Sequence, residues 1–347
     1  MKKGILFIVA LSVFSLMVNA QSGPRSTESI GLNDISIIEF AGNGDIWAGS
    51  SGQGLAFYNA AVDTWAYYNT TNTPQIQSNS ITAIWANAIN GVQHAVIGNT
   101  AGATDFVNTV PVALTSLPES AVRGIVYRPD SLWVLTDSKL NRYDSLIVYE
   151  NSYNSPFANI TCSRRGASQC AGLWAGTANN GCFFTVDGVS FTYIDTSLAN
   201  QKLVDNRVNA IAIDNQCIAK FIGTKGGFSM CPTGAPCQNF TTANGLPQND
   251  VTSVANACGK VWLGTRDSGV VVFTPPATFE RVTTANGLPD NRITAVSCSP
   301  LTCQTYIATA NGNIAIVDTA RNVVKLLTGI GKVRQEQFGV RVFPQPA

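Results

Sequence analysis

Two fourteen-residue stretches of this chain are nearly the same. Thr241–Val254 reads TTANGLPQNDVTSV, and Thr283–Val296 reads TTANGLPDNRITAV. Ten positions are identical, an eleventh exchanges valine for isoleucine, and the offset is 42 residues. A fixed period of about 20–50 residues marks a chain built from repeated supersecondary units, each of which needs its neighbours to bury a hydrophobic face. The search therefore widens to the whole sequence. Asn291-Arg-Ile-Thr-Ala-Val296 and Asn249-Asp-Val-Thr-Ser-Val254 share the pattern Asn-x-[Ile/Val]-x-x-[Ile/Val] with segments starting at Asn206 and Asn79. Weaker copies start at Asn33, Ser120 and Ala158, so the steps between anchors are 46, 41, 38, 48, 43 and 42 residues.

A second signature follows each anchor. It reads Ile46-Trp-Ala-Gly-Ser50, Leu132-Trp-Val-Leu-Thr136, Leu173-Trp-Ala-Gly-Thr177, Phe221-Ile-Gly-Thr224 and Val261-Trp-Leu-Gly-Thr265, with degenerate forms at Ala95–Asn99 and Tyr306–Thr309. Seven units result. Each contains four short runs of β-branched and aromatic residues between Gly, Asn and Pro breaks, which is the strand signal. In the sixth unit the runs are Val251–Ala255, Val261–Thr265, Val270–Phe273 and Phe279–Val282. Four strands per unit of about 42 residues describe a propeller blade, and propellers carry four to eight blades. The expected fold is all-β, a seven-bladed β-propeller of four-stranded antiparallel blades, closed by packing rather than by strand exchange. In this reading GLPxN is the crossing from the outer strand of one blade to the inner strand of the next. Asn-Gly accepts the positive φ of a tight turn, and proline bars helix continuation.

The stretch GLPxNxVTxV, followed by VWLGTxxSGVVVF, resembles the two-component regulator propeller repeat of extracellular sensors in Bacteroidetes-type bacteria. The resemblance covers roughly residues 30 to 330 and is strongest in units five and six. It implies a sensory or ligand-binding propeller, often one that detects polysaccharide. The chain departs from that pattern in holding a single propeller, with neither a later membrane span nor a kinase. A shorter resemblance lies in FGVRVFPQPA, Phe338–Ala347, which is similar to the opening strand of a type IX secretion sorting domain, with Gln345 where asparagine is usual.

The chain opens MKKGILFIVALSVFSLMVNAQ, a positive start, a short apolar run and a small-residue site at Val18-Asn19-Ala20. This is the pattern of an export signal cleaved after Ala20; a membrane span needs about 20 apolar residues. The expected organisation is a signal peptide at 1–20, the propeller at 21–330 and a tail at 331–347. Extracellular or cell-surface localisation follows, and nine cysteines suit that compartment. A net charge of +1 lacks the basic stripe that nucleic-acid binding needs. Charged residues are 12% of the chain, against about 25% in ordinary domains, so Ser, Thr, Asn and Gln carry most of the polar surface. No cofactor is called for, and a monomer is expected.

In a propeller the loop entering each inner strand and the turn between the second and third strands share one face. That face gathers Asn33, Asp34, Asn79, Glu119, Asn206, Arg207, Asn249, Asp250, Asn291 and Arg292 from the first set. Gln53, Asp137, Asn179, Asn180, Lys225, Arg266, Asp267 and Asn311 come from the second. Most are expected to be turn formers. Arg207, Asp250, Arg292, Lys225, Arg266 and Asp267 are the candidate ligand-binding residues, because turn chemistry does not call for long charged side chains. The expected function is recognition of a glycan or protein partner on this face; the alternatives are a glycoside hydrolase or lyase using Asp250 with Asp267, and a structural or adhesive module. Enzymatic activity is not expected. His94 is the sole histidine, and no nucleophile-elbow or metal-loop motif accompanies it. Trp47, Trp133, Trp174 and Trp262 share one strand position and read as core, whereas Trp65 and Trp85 are out of register and are candidates for exposed stacking. Short cysteine separations suggest local disulfides at Cys162–Cys170, Cys231–Cys237 and Cys298–Cys303, with Cys217 and Cys258 able to pair across blades and Cys182 left over.

Overall fold

A computed structural model describes residues 32–327, apart from 42–43, 90, 115–116, 118, 120 and 167–171. The expected signal peptide, the tail, Ser120 and Cys170 lie outside the described residues. The chain between forms 28 strands, from β1 (Ile35–Phe40) to β28 (Val323–Leu327), in seven separate four-stranded antiparallel sheets. Each sheet takes four consecutive strands in simple meander order, including the last, β25 (Ile293–Cys298) to β28. Among the described residues no strand is exchanged between the first and last blades, and the two blades meet by packing. Blade 7 supplies Ala295, Tyr306, Ala308, Ile314, Ile316 and Leu327 to the same buried cluster as Leu32, Ile35, Ile38, Ile46 and Tyr58 of blade 1.

Blades pack because both sheet faces are apolar. In blades 1, 3, 4 and 7 every residue of the second strand is buried. All five residues of β2 (Ile46–Ser50) are buried, as are all five of β14 (Leu173–Thr177). Its tryptophan points at the following blade: Trp47 joins Ile81, Ile97 and Phe106 of blade 2, and Trp262 joins Ile293, Val296 and Ile307 of blade 7. The expected core role of the repeated tryptophans is met.

The repeated glycine of the same signature has a steric cause. A Cβ placed on Gly49, Gly98, Gly176, Gly223 or Gly264 would lie 2.4–2.8 Å from Ile81, Val122, Val208, Val251 or Ile293, the first inner-strand residue of the next blade. Real Cβ atoms essentially never come so close. Glycine is thus the socket into which the neighbouring blade fits.

The inner strand adds a polar seam. Directly after its first buried residue stands Ser36, Thr82, Arg123, Thr161, Asn209, Thr252 or Thr294, and the ladder to the second strand shifts register there in every blade. Four of these side chains donate to the inner-strand carbonyl of the next blade. Thr82 reaches Val122 at 2.6 Å, Thr161 reaches Val208 at 2.5 Å, Asn209 reaches Val251 at 2.9 Å and Thr252 reaches Ile293 at 2.8 Å. The series stops at the ring seam, where the buried Thr294 hydroxyl finds no hydrogen-bond partner among the described residues. Hydrogen bonds of this kind contribute about 0.5–1.5 kcal/mol each.

The cysteine expectations need correction. Cys231–Cys237 is a disulfide as expected. Cys303 is bonded to Cys258 of the preceding blade, and Cys162 and Cys298 are free thiols, as is Cys182. Cys217 is disulfide-bonded, so its expected pairing with Cys258 does not form. The ladder explains the error. Cys298 faces Thr305 across its hairpin, which leaves Cys303 in the turn beyond, beside the matching turn of the adjacent blade. Cys162 sits within β13 (Ile160–Arg165) opposite Gly176, its thiol buried between inner and second strands. Proximity in sequence across a hairpin did not translate into proximity of sulfurs.

Candidate functional site: the loop face

The two loop sets do share a face, and most of their polar groups are engaged with each other. Asp34 accepts from Ser50 at 2.5 Å and from Ser51, while the Asn33 amide donates to Gln53 at 2.5 Å. Glu119 accepts from Thr136 at 2.5 Å and from the Ser138 amide at 3.1 Å. Arg123 pairs with Asp137 at 2.8 Å, and Arg266 with Asp250 at 2.6 Å. Each bond ties an entering loop, or in blade 3 the start of the inner strand, to the end or turn of the second strand of the same blade.

The repeated asparagines act as latches. The side-chain oxygens of Asn79, Asn206, Asn249 and Asn291 accept from the backbone amides of Thr70, Thr196, Thr242 and Thr284 at 2.8–2.9 Å. In TTANG, Asn244 and Asn286 accept from the Thr241 and Thr283 amides, and Gly245 and Gly287 follow at φ 104° and 96°. The next leucines, Leu246 and Leu288, are buried under the blade. The shared threonines, asparagines, glycine and leucine therefore have local structural tasks, which is why the chain repeats them.

The six candidate residues divide. Asp250 and Arg266 are consumed largely by each other. Asp267 is exposed, its amide donating to the Gln248 side chain at 2.8 Å. Arg207, Lys225 and Arg292 carry exposed side chains. Their backbones are fixed: Asp205 and Asp290 accept from the Arg207 and Arg292 amides at 2.8 and 3.0 Å, and the Lys225 amide donates to the Arg207 carbonyl at 3.1 Å. Arg207 and Lys225 thus stand together on blade 5, with Arg292 on blade 7. Firmly held backbone with free cationic side chains is the arrangement a polar ligand can use.

Below this face runs a channel of about 550 Å³ lined by the inner strands of all seven blades. Its upper part shows the Ser, Thr and Asn ring described above. Near its far end Glu39 of blade 1 and Arg164 of blade 4 approach to 4.0 Å. These blades are not neighbours, so the pair spans the channel. Burial pushes the Glu39 carboxyl above its usual range, and Arg164 opposes the shift. Burial likewise raises the Cys162 and Cys298 thiols to about 11, so both are protonated at neutral pH and poor nucleophiles. The channel ring and the spanning pair were not among the sequence candidates. The recurrent Thr after Asn-x-[Ile/Val] was the available signal for the ring; nothing local marks Glu39.

Two further expectations change. Trp85 stacks on Tyr127 at 4.5 Å between blades 2 and 3, and Trp65 packs against Tyr58 at 5.1 Å. Both are partly buried and neither is a free platform. Trp85 is out of register because blade 2 has Val96 where four other blades have Trp, and the displaced indole fills that space.

No known protein-family profile and no curated protein sequence matches the chain. Solved structures do. The extracellular domain of BT4673 from B. thetaiotaomicron, assigned to the hybrid two-component systems, superposes with a TM-score of 0.63 at 18% identity, over 83% of this chain and 39% of that one. PorZ, an essential surface component of the type IX secretion system of Porphyromonas gingivalis, gives 0.65 at 15% identity, over 84% and 47%. The computationally designed protein Ika8 gives 0.60 at 14%, over 85% and 87%. The chain spans less than half of either natural neighbour. At these identities the likeness is one of fold.

Proposed function

We propose that this chain is an exported, extracellular or surface-displayed propeller that binds a polar ligand, a glycan foremost, on the loop face around the channel mouth. The observation that carries the reading is the division of labour among the rim residues. Asparagines, serines and most carboxylates are spent on holding the loops, while Arg207, Lys225 and Arg292 hold exposed side chains on a fixed backbone. The disulfides at Cys231–Cys237 and Cys258–Cys303 support an oxidising compartment. The reading assigns no catalysis to the face, and Asp250 acts as the partner of Arg266.

The test is a glycan-array screen of the full chain beside Arg207→Ala/Arg292→Ala. Binding to one polysaccharide class that falls at least tenfold in the double variant supports the reading. A folded wild-type protein that binds no glycan, or a double variant that binds equally well, overturns it in favour of an adhesive or structural module.

A further inference from the structure

A second site lies on the opposite face, independent of the loop-face reading. At the second-strand position facing the next blade, four blades have Trp47, Trp133, Trp174 and Trp262. In blades 1 and 4 the indole pairs with a phenylalanine of the third strand, Trp47 with Phe57 at 4.6 Å and Trp174 with Phe184 at 4.8 Å. Blade 5 has the smaller Phe221 opposite Met230. In blade 2 the corresponding shortfall at Val96 is made good by the stacked Trp85 and Tyr127. Between blades 5 and 6 it is not, and a cavity of about 410 Å³ remains.

The cavity has walls of Phe221, Met230 and Pro232 from one blade and Val261 and Pro275 from the next. It opens between the turns that carry Ile218 and Gly259, away from the loop face. Ile218 stands at the mouth 60% exposed, an unusual position for isoleucine. The rim is pinned covalently. Cys258 in the wall is bonded to Cys303, Cys231 beside Met230 is bonded to Cys237, and Cys217 beside Ile218 is disulfide-bonded. A rigid pocket loses little entropy when it is filled.

We propose that this cavity binds a neutral small molecule with an apolar ring-like or aliphatic body and one hydrogen-bonding end. Size and polarity define the class. The volume falls within the 300–1,000 Å³ typical of small-molecule sites. The two charged rim groups are already committed. Asp214 accepts from the amides of Gln216 at 2.9 Å and Ile218 at 3.3 Å, and Lys260 donates to the Thr319 carbonyl. Asn215 and Asn256 remain to meet the polar end.

The experiment is a fluorescence titration of the full chain with N-phenyl-1-naphthylamine, a neutral apolar probe. Two variants are compared. Phe221→Trp/Met230→Phe rebuilds in blade 5 the pair that blades 1 and 4 already hold, and Ile218→Asp places a charge at the exposed mouth. The wild type is expected to show saturable binding of one probe per chain, weakened at least tenfold in both variants, with circular dichroism unchanged. The mouth variant alters an exposed residue, so it reports even if the repacked variant misfolds. Absence of saturable binding, or equal affinity in a folded variant of either kind, overturns the proposal.

Discussion

The glycine socket makes the sharpest prediction about how the ring holds together. Consider Gly98→Ala. The new Cβ would lie 2.4 Å from Val122 Cγ1 and 2.9 Å from Val122 Cβ, with Ala83 Cβ at 3.3 Å. Val122 is fully buried, and a change of its rotamer moves Cγ1 but leaves the branched Cβ in place. Relief requires the two blades to part by some tenths of an ångström, and overpacking of this kind costs about 1–3 kcal/mol. Alanine also loses less backbone entropy than glycine, which returns about 0.4–1 kcal/mol. The clash wins, for a net destabilisation of about 1–2 kcal/mol. Urea denaturation followed by tryptophan fluorescence should show a lower midpoint at unchanged slope. A second variant separates the socket from general damage. Val122→Ala alone loses buried surface, but Gly98→Ala/Val122→Ala removes the closest atom in conflict, Val122 Cγ1. The double variant should therefore be more stable than the sum of the single effects by about 1 kcal/mol or more. If Gly98→Ala is neutral or stabilising, or if the two changes simply add, the socket account fails.

Other expectations follow from the same contacts. The Cys258–Cys303 bridge closes a loop of about 46 residues and Cys231–Cys237 one of about 7, so chain-entropy reasoning assigns about 4 and about 2 kcal/mol. Cys303→Ser should accordingly lower the thermal midpoint more than Cys237→Ser does; the reverse order would contradict the entropic ranking. Glu39 has a folded-state pKa raised by burial, so the native state binds a proton that the unfolded chain releases. Its penalty is present at neutral pH and is relieved as pH falls through the folded-state value towards the unfolded one. The stability advantage of Glu39→Gln over wild type should therefore shrink as pH falls from 7 to 4, and a constant difference would refute the assignment. Finally, with thiol pKa values of about 11, Cys162 and Cys298 should resist a thiol reagent at pH 7.5 until the protein is unfolded; rapid native-state labelling would show these thiols to be activated.

Blade number, strand order and the buried role of the aligned tryptophans were readable because each follows from a period. A motif repeated seven times averages out local ambiguity, and a unit with two apolar faces has no other way to bury both. The loop face was legible for the same reason, since blade topology alone puts those turns together. Which rim residues are free was not. Arg207 and Arg266 look alike in sequence, yet Arg266 meets Asp250 at 2.6 Å while Arg207 is exposed. Free and spent charges differ only by what faces them across a loop. The cysteines failed similarly, because a disulfide requires matched side-chain directions as well as closeness along the chain, and Cys298 and Cys303 have only the latter.

The sequence by itself determined the period, and through it seven sheets and their order, because these are properties each unit repeats. Tertiary structure alone decided what occurs once. The Cys258–Cys303 bridge, the Glu39–Arg164 pair across the channel, the displaced Trp85 and the unfilled cavity beside Phe221 join residues from different blades. The physical reason is that a repeat encodes its own fold and its fit to a generic neighbour. A departure from the repeat acquires meaning only from the particular side chains that the closed ring brings against it.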